Sequence, residues 1–403
     1  NWINALYWGR YITALFGAGV IFLTFKAVQT LFNNKLLAIL SALFVAVNYR
    51  LILSSHIGFI DMYNVFFLLA VFWSIGTLLR KPTLKNYLMT WMFIALSFLT
   101  KYQVYALFPF LIGHFVISWR LAGDRSRFLR CLFSKEVVLG GFASLTIVLI
   151  SHIHYFLQWQ KVLELHKYEA LKYGFGAQTF NIYPISYFYH IGIGEVLSLF
   201  ALTGIVIGLI SVRYRLGTML LLSVMPFTIY IYLYYSQGGF FTRNLIFIIP
   251  IFLIFAGLAI YHFFDIIWRK KGFFWKTIAI VFIFVAGFFG LKDHIKNDLV
   301  LEKIYSQKSV ALQAYEWTEK NITGDVVFAT YDHNPTTKDK KVRVTPLPYL
   351  DKVFSYREMK QEGYDFAVLD MVDIQGDFLW WMKQSLEFGI KFWNKPNDLL
   401  SQS

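Results

Sequence analysis

The side chains with chemistry to offer are one carboxylate, Asp61, and a set of cations, Arg10, Arg50, Lys101 and Arg243, each standing at the end of a long apolar run. Asp61 closes the polar interruption Ser54-Ser55-His56-Ile57-Gly58-Phe59-Ile60-Asp61, and a new apolar run starts from it. An acid at the edge of a hydrophobic segment is costly unless it is paired or wet, which marks it as a functional candidate. Asp is also favoured at helix starts, by capping and by the macrodipole, and the two roles can coexist. For any one of the cations, snorkelling of the head group to water is an alternative. Four of them on one face, near one acid, favour an anionic ligand bound between helices. Phosphate fits, because Arg offers its oxygens a planar fork and Lys a point charge.

These residues need long helices to position them, and the composition supplies such helices. With 57% hydrophobic and 15% charged residues in 403, and a mean hydropathy of +0.52, the chain is too apolar for an ordinary soluble domain. It reads as a polytopic α-helical membrane protein of roughly ten spans, each near the 20 residues that cross a hydrocarbon core. The apolar runs are 10–32, 35–53, 61–79, two within 87–119, 136–157, 193–212, 217–235, 244–267 and 273–291. The stretch 87–119 is too long for one simple helix and is divided at Thr100-Lys101-Tyr102-Gln103.

With that division, the basic links holding Arg80 and Lys81, Arg120 to Arg130, Arg213 and Arg215, and Arg269 to Lys271 all fall on one side, which the positive-inside rule makes cytoplasmic. The formal charge of +14 is thus explained by topology, and nucleic acid is not an expected partner. Arg10, Arg50, Lys101 and Arg243 lie on the opposite, extracytoplasmic face, where topology gives no reason for them. The single cysteine, Cys131, excludes an internal disulfide.

The segment 156–189 alternates apolar and polar residues from Phe156 to Lys167 and ends in aromatics from Phe180 to Tyr189, a pattern for an interfacial helix and a headgroup belt or, alternatively, a lid over a lipid-linked substrate. Residues 1–291 form the transmembrane module. Beyond Leu291 charged residues become frequent, and 292–403 reads as a small soluble α/β domain, with helices at 309–320 and 356–362 and strands at 325–329 and 364–369. Asp370 and Asp373 after the last strand read as solvated turn residues rather than a metal pair. Asn321-Ile322-Thr323 matches a glycosylation sequon, and His152 and His154 read as interfacial residues.

The order of several motifs carries a resemblance. Arg10-Tyr11-Ile12-Thr13-Ala14-Leu15-Phe16-Gly17, two spans joined by a link with Asn34 and Lys35, then a polar turn and Asp61, resemble the core of the GT-C class glycosyltransferases that use polyprenyl-phosphate sugars. These include protein O-mannosyltransferase and aminoarabinose transferase relatives. Leu99-Thr100-Lys101 is similar to the family's Leu-Thr-Lys corner, and Thr242-Arg243-Asn244 to its Arg-Tyr start of a late span, with Asn244 in place of the Tyr. The tail, through Ala314 to Thr318 and Tyr364 to Leu369, is similar to the extracytoplasmic domain of many members.

The resemblance implies inverting transfer of a hexose or pentose from a polyprenyl-phosphate donor to a hydroxyl of a lipid, glycan or protein acceptor, outside the plasma membrane. Arg10, Lys101, Arg243 and, less directly, Arg50 would hold the phosphate, with Tyr102 hydrogen-bonding to it and His56 nearby. Asp61 would orient the acceptor or sugar, or assist a divalent metal, as an accessory to the main acid. The family places that acid in the first outer loop, and since Asn1 to Gly9 holds no Asp or Glu, it is expected upstream of residue 1. No other cofactor is implied. The competing expectations are a flippase or transporter of lipid-linked sugars, which should show internal repeats, and an inactive membrane scaffold.

Overall fold

The structure, a computed structural model, describes residues 2–57, 60–101, 104–172, 183–229, 242–306, 327–330, 343–346 and 366–368. It divides into two units, residues 1–301 and 302–403. The first unit is helical and begins with α1 (Trp2–Phe32), α2 (Lys35–Ala46), α3 (Tyr49–His56), α4 (Asp61–Arg80) and α5 (Leu84–Lys101). A 3₁₀ turn, Val104–Ala106, leads into α6 (Leu107–Ala122), followed by α7 (Arg125–Leu132) and α8 (Lys135–Ser151). The corner expected at Lys101 is therefore a real break between two helices.

Among the described residues, six helical segments are long and apolar enough to cross a membrane, and eight if each of two bent pairs is one span. The protein is a multi-pass membrane protein. Part of the run expected at 217–235 lies outside the described residues. One expected span, 35–53, is broken: α2 and α3 meet at 58° around Asn48. Asn48 explains the break. Its carbonyl oxygen accepts from Leu51 N–H at 3.2 Å and so starts α3, while its amide donates to Gly192 O at 2.9 Å. A buried amide whose oxygen and nitrogen are both bonded is far cheaper than one left unpaired.

The next elements are two short helices, α9 (Ile153–Leu157) and α10 (Trp159–Lys172), the latter in the segment expected to be amphipathic. Then come α11 (Tyr183–Tyr187), a π-helical turn Phe188–Gly192, α12 (Glu195–Ile210) and α13 (Val212–Leu222). A 3₁₀ turn, Thr242–Ile248, opens α14 (Ile249–Trp268), and α15 (Phe273–Ser306) continues fifteen residues beyond the composition change at Leu291. Helix α14 is the hub of the bundle: Ile251, Leu253, Ile254, Phe255, Ala256, Leu258, Ala259 and Ile260 are all fully buried. Without a hydrophobic force between helices in lipid, close packing needs small residues. Gly204 of α12 meets the Phe255 backbone so closely that a Cβ there would overlap the carbonyl.

In the second unit the described residues form three short parallel strands, β1 (Val327–Thr330), β2 (Arg343–Pro346) and β3 (Phe366–Val368), in the order β2-β1-β3. Val327 pairs with Arg343 and Phe328 with Phe366. Strand β3 falls within the expected strand 364–369, and β1 overlaps the expected 325–329 and runs one residue past it. β2 was not legible, because its four residues end on a proline and follow a polar stretch. The helices expected at 309–320 and 356–362, the sequon at Asn321, and Asp370 and Asp373 lie outside the described residues.

Candidate functional site

Helix α4 begins at Asp61, but Asp61 does not cap it. Ile60 occupies the cap position without a side-chain bond, and the Asp61 carboxylate instead forms an ion pair with Lys101, the last residue of α5. Both side chains are withdrawn from solvent, with 5% of Asp61 and 12% of Lys101 accessible. The antiparallel packing of α4 and α5 brings the two helix ends together, and the pair closes them.

One turn further along α4 a second polar cluster backs the ion pair. Asn64, buried at 2% exposure, donates its amide to Thr100 Oγ1 at 2.9 Å and accepts from the Tyr105 hydroxyl. Thr100 in turn donates to Ser97 O at 2.6 Å. The fully buried Tyr105 ring stacks on Phe247 with centroids 4.3 Å apart and planes at 11°. Thus the residue before Lys101 and the 3₁₀ turn after it are both fixed to α4, and Tyr105 links them to the turn Thr242–Ile248. An Asn in the middle of an apolar run was the signal for this cluster, since a polar side chain at that depth requires partners. Neither Asn64 nor Tyr105 was among the residues expected at the site.

Helix α1 forms the adjacent wall. Thr13 Oγ1 donates to Gly9 O at 2.8 Å and lies 3.2 Å from the hydroxyl of Tyr63, two residues after Asp61. Phe16 packs edge-on to Tyr63 at 4.4 Å. Arg10 is three residues before Thr13, on the same helix face, and is half-buried at the same end of the bundle. At Gly17 a Cβ would come within 2.7 Å of Ser55 Cβ, so α1 and α3 approach closely there.

The other expected residues are placed differently. Arg50, in the first turn of α3, sets its guanidinium 5.1 Å from the Tyr187 ring centroid, an engagement separate from the Asp61–Lys101 pair. His56 ends α3, exposed, with Nδ1 donating to Ile52 O at 2.8 Å. Arg243 lies in the backbone turn Thr242–Ile248, and its side chain is outside the described residues, as is Tyr102. Among the described residues, no three His, Cys, Asp or Glu side chains come together as a metal site.

The pair sets an ammonium and a carboxylate together where the ends of α4 and α5 meet. An ammonium in a low-dielectric setting interacts strongly with an anion.

Comparison with known proteins agrees with this architecture. A family model described as dolichyl-phosphate-mannose-protein mannosyltransferase matches residues 5–153, the stretch that holds Arg10, Asp61 and Lys101. The apo oligosaccharyltransferase of Archaeoglobus fulgidus aligns with a TM-score of 0.50 and 14% identity, over 89% of this chain and 53% of its own. The chain therefore spans about half the length of that protein. ArnT from Cupriavidus metallidurans bound to undecaprenyl phosphate aligns with a TM-score of 0.45 and 12% identity, over 81% of this chain and 69% of its own. No curated protein matches by sequence. The fold is of the GT-C class.

Proposed function

We propose that this GT-C protein is a glycosyltransferase that moves a sugar from a polyprenyl-phosphate donor to an acceptor hydroxyl, with inversion, at the membrane face carrying Asp61 and Lys101. The observation that carries the reading is the buried Asp61–Lys101 pair. It holds a cation, fixed by a carboxylate, at one end of the helix bundle, where it suits the phosphate of a lipid-linked donor.

In this reaction the acceptor oxygen attacks the anomeric carbon as the bond from that carbon to the phosphate oxygen breaks. A general base takes the hydroxyl proton, and the electron pair leaves with the lipid phosphate. Lys101 meets the charge that develops on that phosphate, and Asp61 fixes the ammonium so that little reorganisation is needed. Arg10 and Arg243 complete the phosphate site and Tyr102 hydrogen-bonds to it, while Arg50 and His56 lie on its margin. The basic links set this face outside the plasma membrane, with residues 292–403 as an α/β domain on the same side. A lipid, glycan or protein supplies the hydroxyl.

The test is incubation of the full chain in nanodiscs with labelled polyprenyl-phosphate sugars and acceptors. Label should move to an acceptor, and Arg243→Ala should slow it. Label crossing the bilayer still attached to the polyprenyl phosphate would instead identify a flippase.

A further inference from the structure

The end of the bundle opposite Asp61 carries cations of two kinds. Several are already used by the fold. Arg80 donates to Thr30 O at 2.8 Å and Gln29 O at 3.1 Å, Arg215 caps Leu209 O and Ile210 O at 3.0 and 3.1 Å, and Arg269 pairs with Asp265 at 2.6 Å. Arg120, Arg125 and Arg130 differ: all three are exposed, and among the described residues none has a carboxylate or hydrogen-bond partner. The topological preference for positive charge explains their side of the membrane. It does not say what they engage.

Beside Arg120 the α6 surface forms an open groove of about 330 Å³, lined by Phe115, Val116, Trp119 and Arg120. Its walls are apolar except for that arginine. The groove is a built feature. Gly123, in the left-handed region at φ 67°, turns the chain after α6, and Asp124 caps α7 by accepting from Arg127 N–H at 2.8 Å. Phe128 of α7 then packs edge-on against Phe115 at 5.3 Å and Trp119 at 5.9 Å. At the other end of α7, the buried His114 fixes the carbonyl of Leu132 through Nε2 at 3.0 Å, while its Nδ1 accepts from Tyr87 Oη at 2.9 Å. Both ends of α7 are thus tied down, and Phe128 sets the rings that wall the groove.

We infer that this groove is a binding site for an anionic phospholipid, with one acyl chain along Phe115, Val116 and Trp119 and the phosphate at Arg120. Arg125 and Arg130 add positive potential around the headgroup. The occupant is a bilayer lipid because the walls are hydrocarbon and the cation stands at the end nearest water, the order of parts in a phospholipid. Tryptophan at that level is the side chain suited to an interface. The site is independent of sugar transfer and lies at the other end of the helices.

The experiment is native mass spectrometry of the full chain in detergent, titrated with phosphatidylglycerol or with phosphatidylcholine of identical acyl chains. Phosphatidylglycerol should be retained selectively. Arg120→Gln should weaken it about fivefold and the triple variant Arg120→Gln, Arg125→Gln, Arg130→Gln further still, at about 1 kcal/mol per arginine near an anionic headgroup. These residues are exposed and unengaged, so melting temperatures should stay at the native value. Val116→Trp, which fills the groove and keeps every arginine, should also abolish selective retention. Equal retention of the two lipids, or native retention by the triple variant, overturns the proposal. Retention by Val116→Trp with loss in the triple variant would show headgroup attraction without the groove, and also overturns it.

Discussion

Asp61 and Lys101 are forty residues apart in the chain, yet each is the terminal residue of its helix, and their ion pair is where α4 and α5 close on each other. Burial makes the pair interdependent. Removing one partner leaves a desolvated charge, which typically costs about 3–5 kcal/mol, whereas replacing both by apolar groups is often neutral. Asp61→Asn and Lys101→Met should each lower the unfolding free energy by that order, and the double variant should lose clearly less than their sum. Thermal unfolding of the purified variants in one detergent reads this directly, and additive losses would refute the coupling.

Tyr105 combines two roles that substitution can separate. Tyr105→Phe keeps the stacking on Phe247 but strips Asn64 of its hydroxyl donor, so it should cost about 1–3 kcal/mol, the penalty of a buried acceptor left unsatisfied. Tyr105→Leu loses the stacking as well and should cost more. Equal melting temperatures for Tyr105→Phe and the native protein would show that the Asn64 contact contributes nothing.

Asn48 is expected to be worth more than a surface cap. Asn48→Ala removes both the bond from Leu51 N–H and the bond to Gly192 O, leaving that carbonyl buried without its donor. A loss of about 1–3 kcal/mol is expected, with sugar transfer unaffected once the protein is folded, because Asn48 touches none of the residues proposed for the phosphate.

Gly204 should tolerate no side chain. Gly204→Val drives a branched group into the Phe255 backbone and separates α12 from α14, an overpacking cost of at least about 1–3 kcal/mol. Size-exclusion chromatography and thermal unfolding should show a protein less stable than the native one. Native stability would contradict the close approach.

Much of this was legible in the sequence, for physical reasons. Apolar runs of span length must be helices in a membrane, since no other open structure satisfies the backbone, and Asp61 and Lys101, expected on one face, do meet at one end of the bundle. What was not legible were pairings across distance. Nothing in the order of residues says that Asp61 turns away from its own helix start to Lys101, that Asn64 is satisfied by Thr100 and Tyr105, or that Arg50 turns to Tyr187. The break at Asn48 was hidden for a related reason: its neighbours are apolar, and only the carbonyl of Gly192, far along the chain, makes the kink affordable. The short strand β2 had too few residues to show a period.

The central claim is that the Lys101 ammonium, held by Asp61, stabilises the departing lipid phosphate. It is tested most directly by single-turnover transfer of labelled sugar by Lys101→Met, beside Asn48→Ala as a control for stability. The account predicts that Lys101→Met lowers the rate of the chemical step by about 10²–10³-fold, the usual effect of removing one group that stabilises developing charge, while Asn48→Ala stays near the native rate. Transfer by Lys101→Met at the native rate would contradict it.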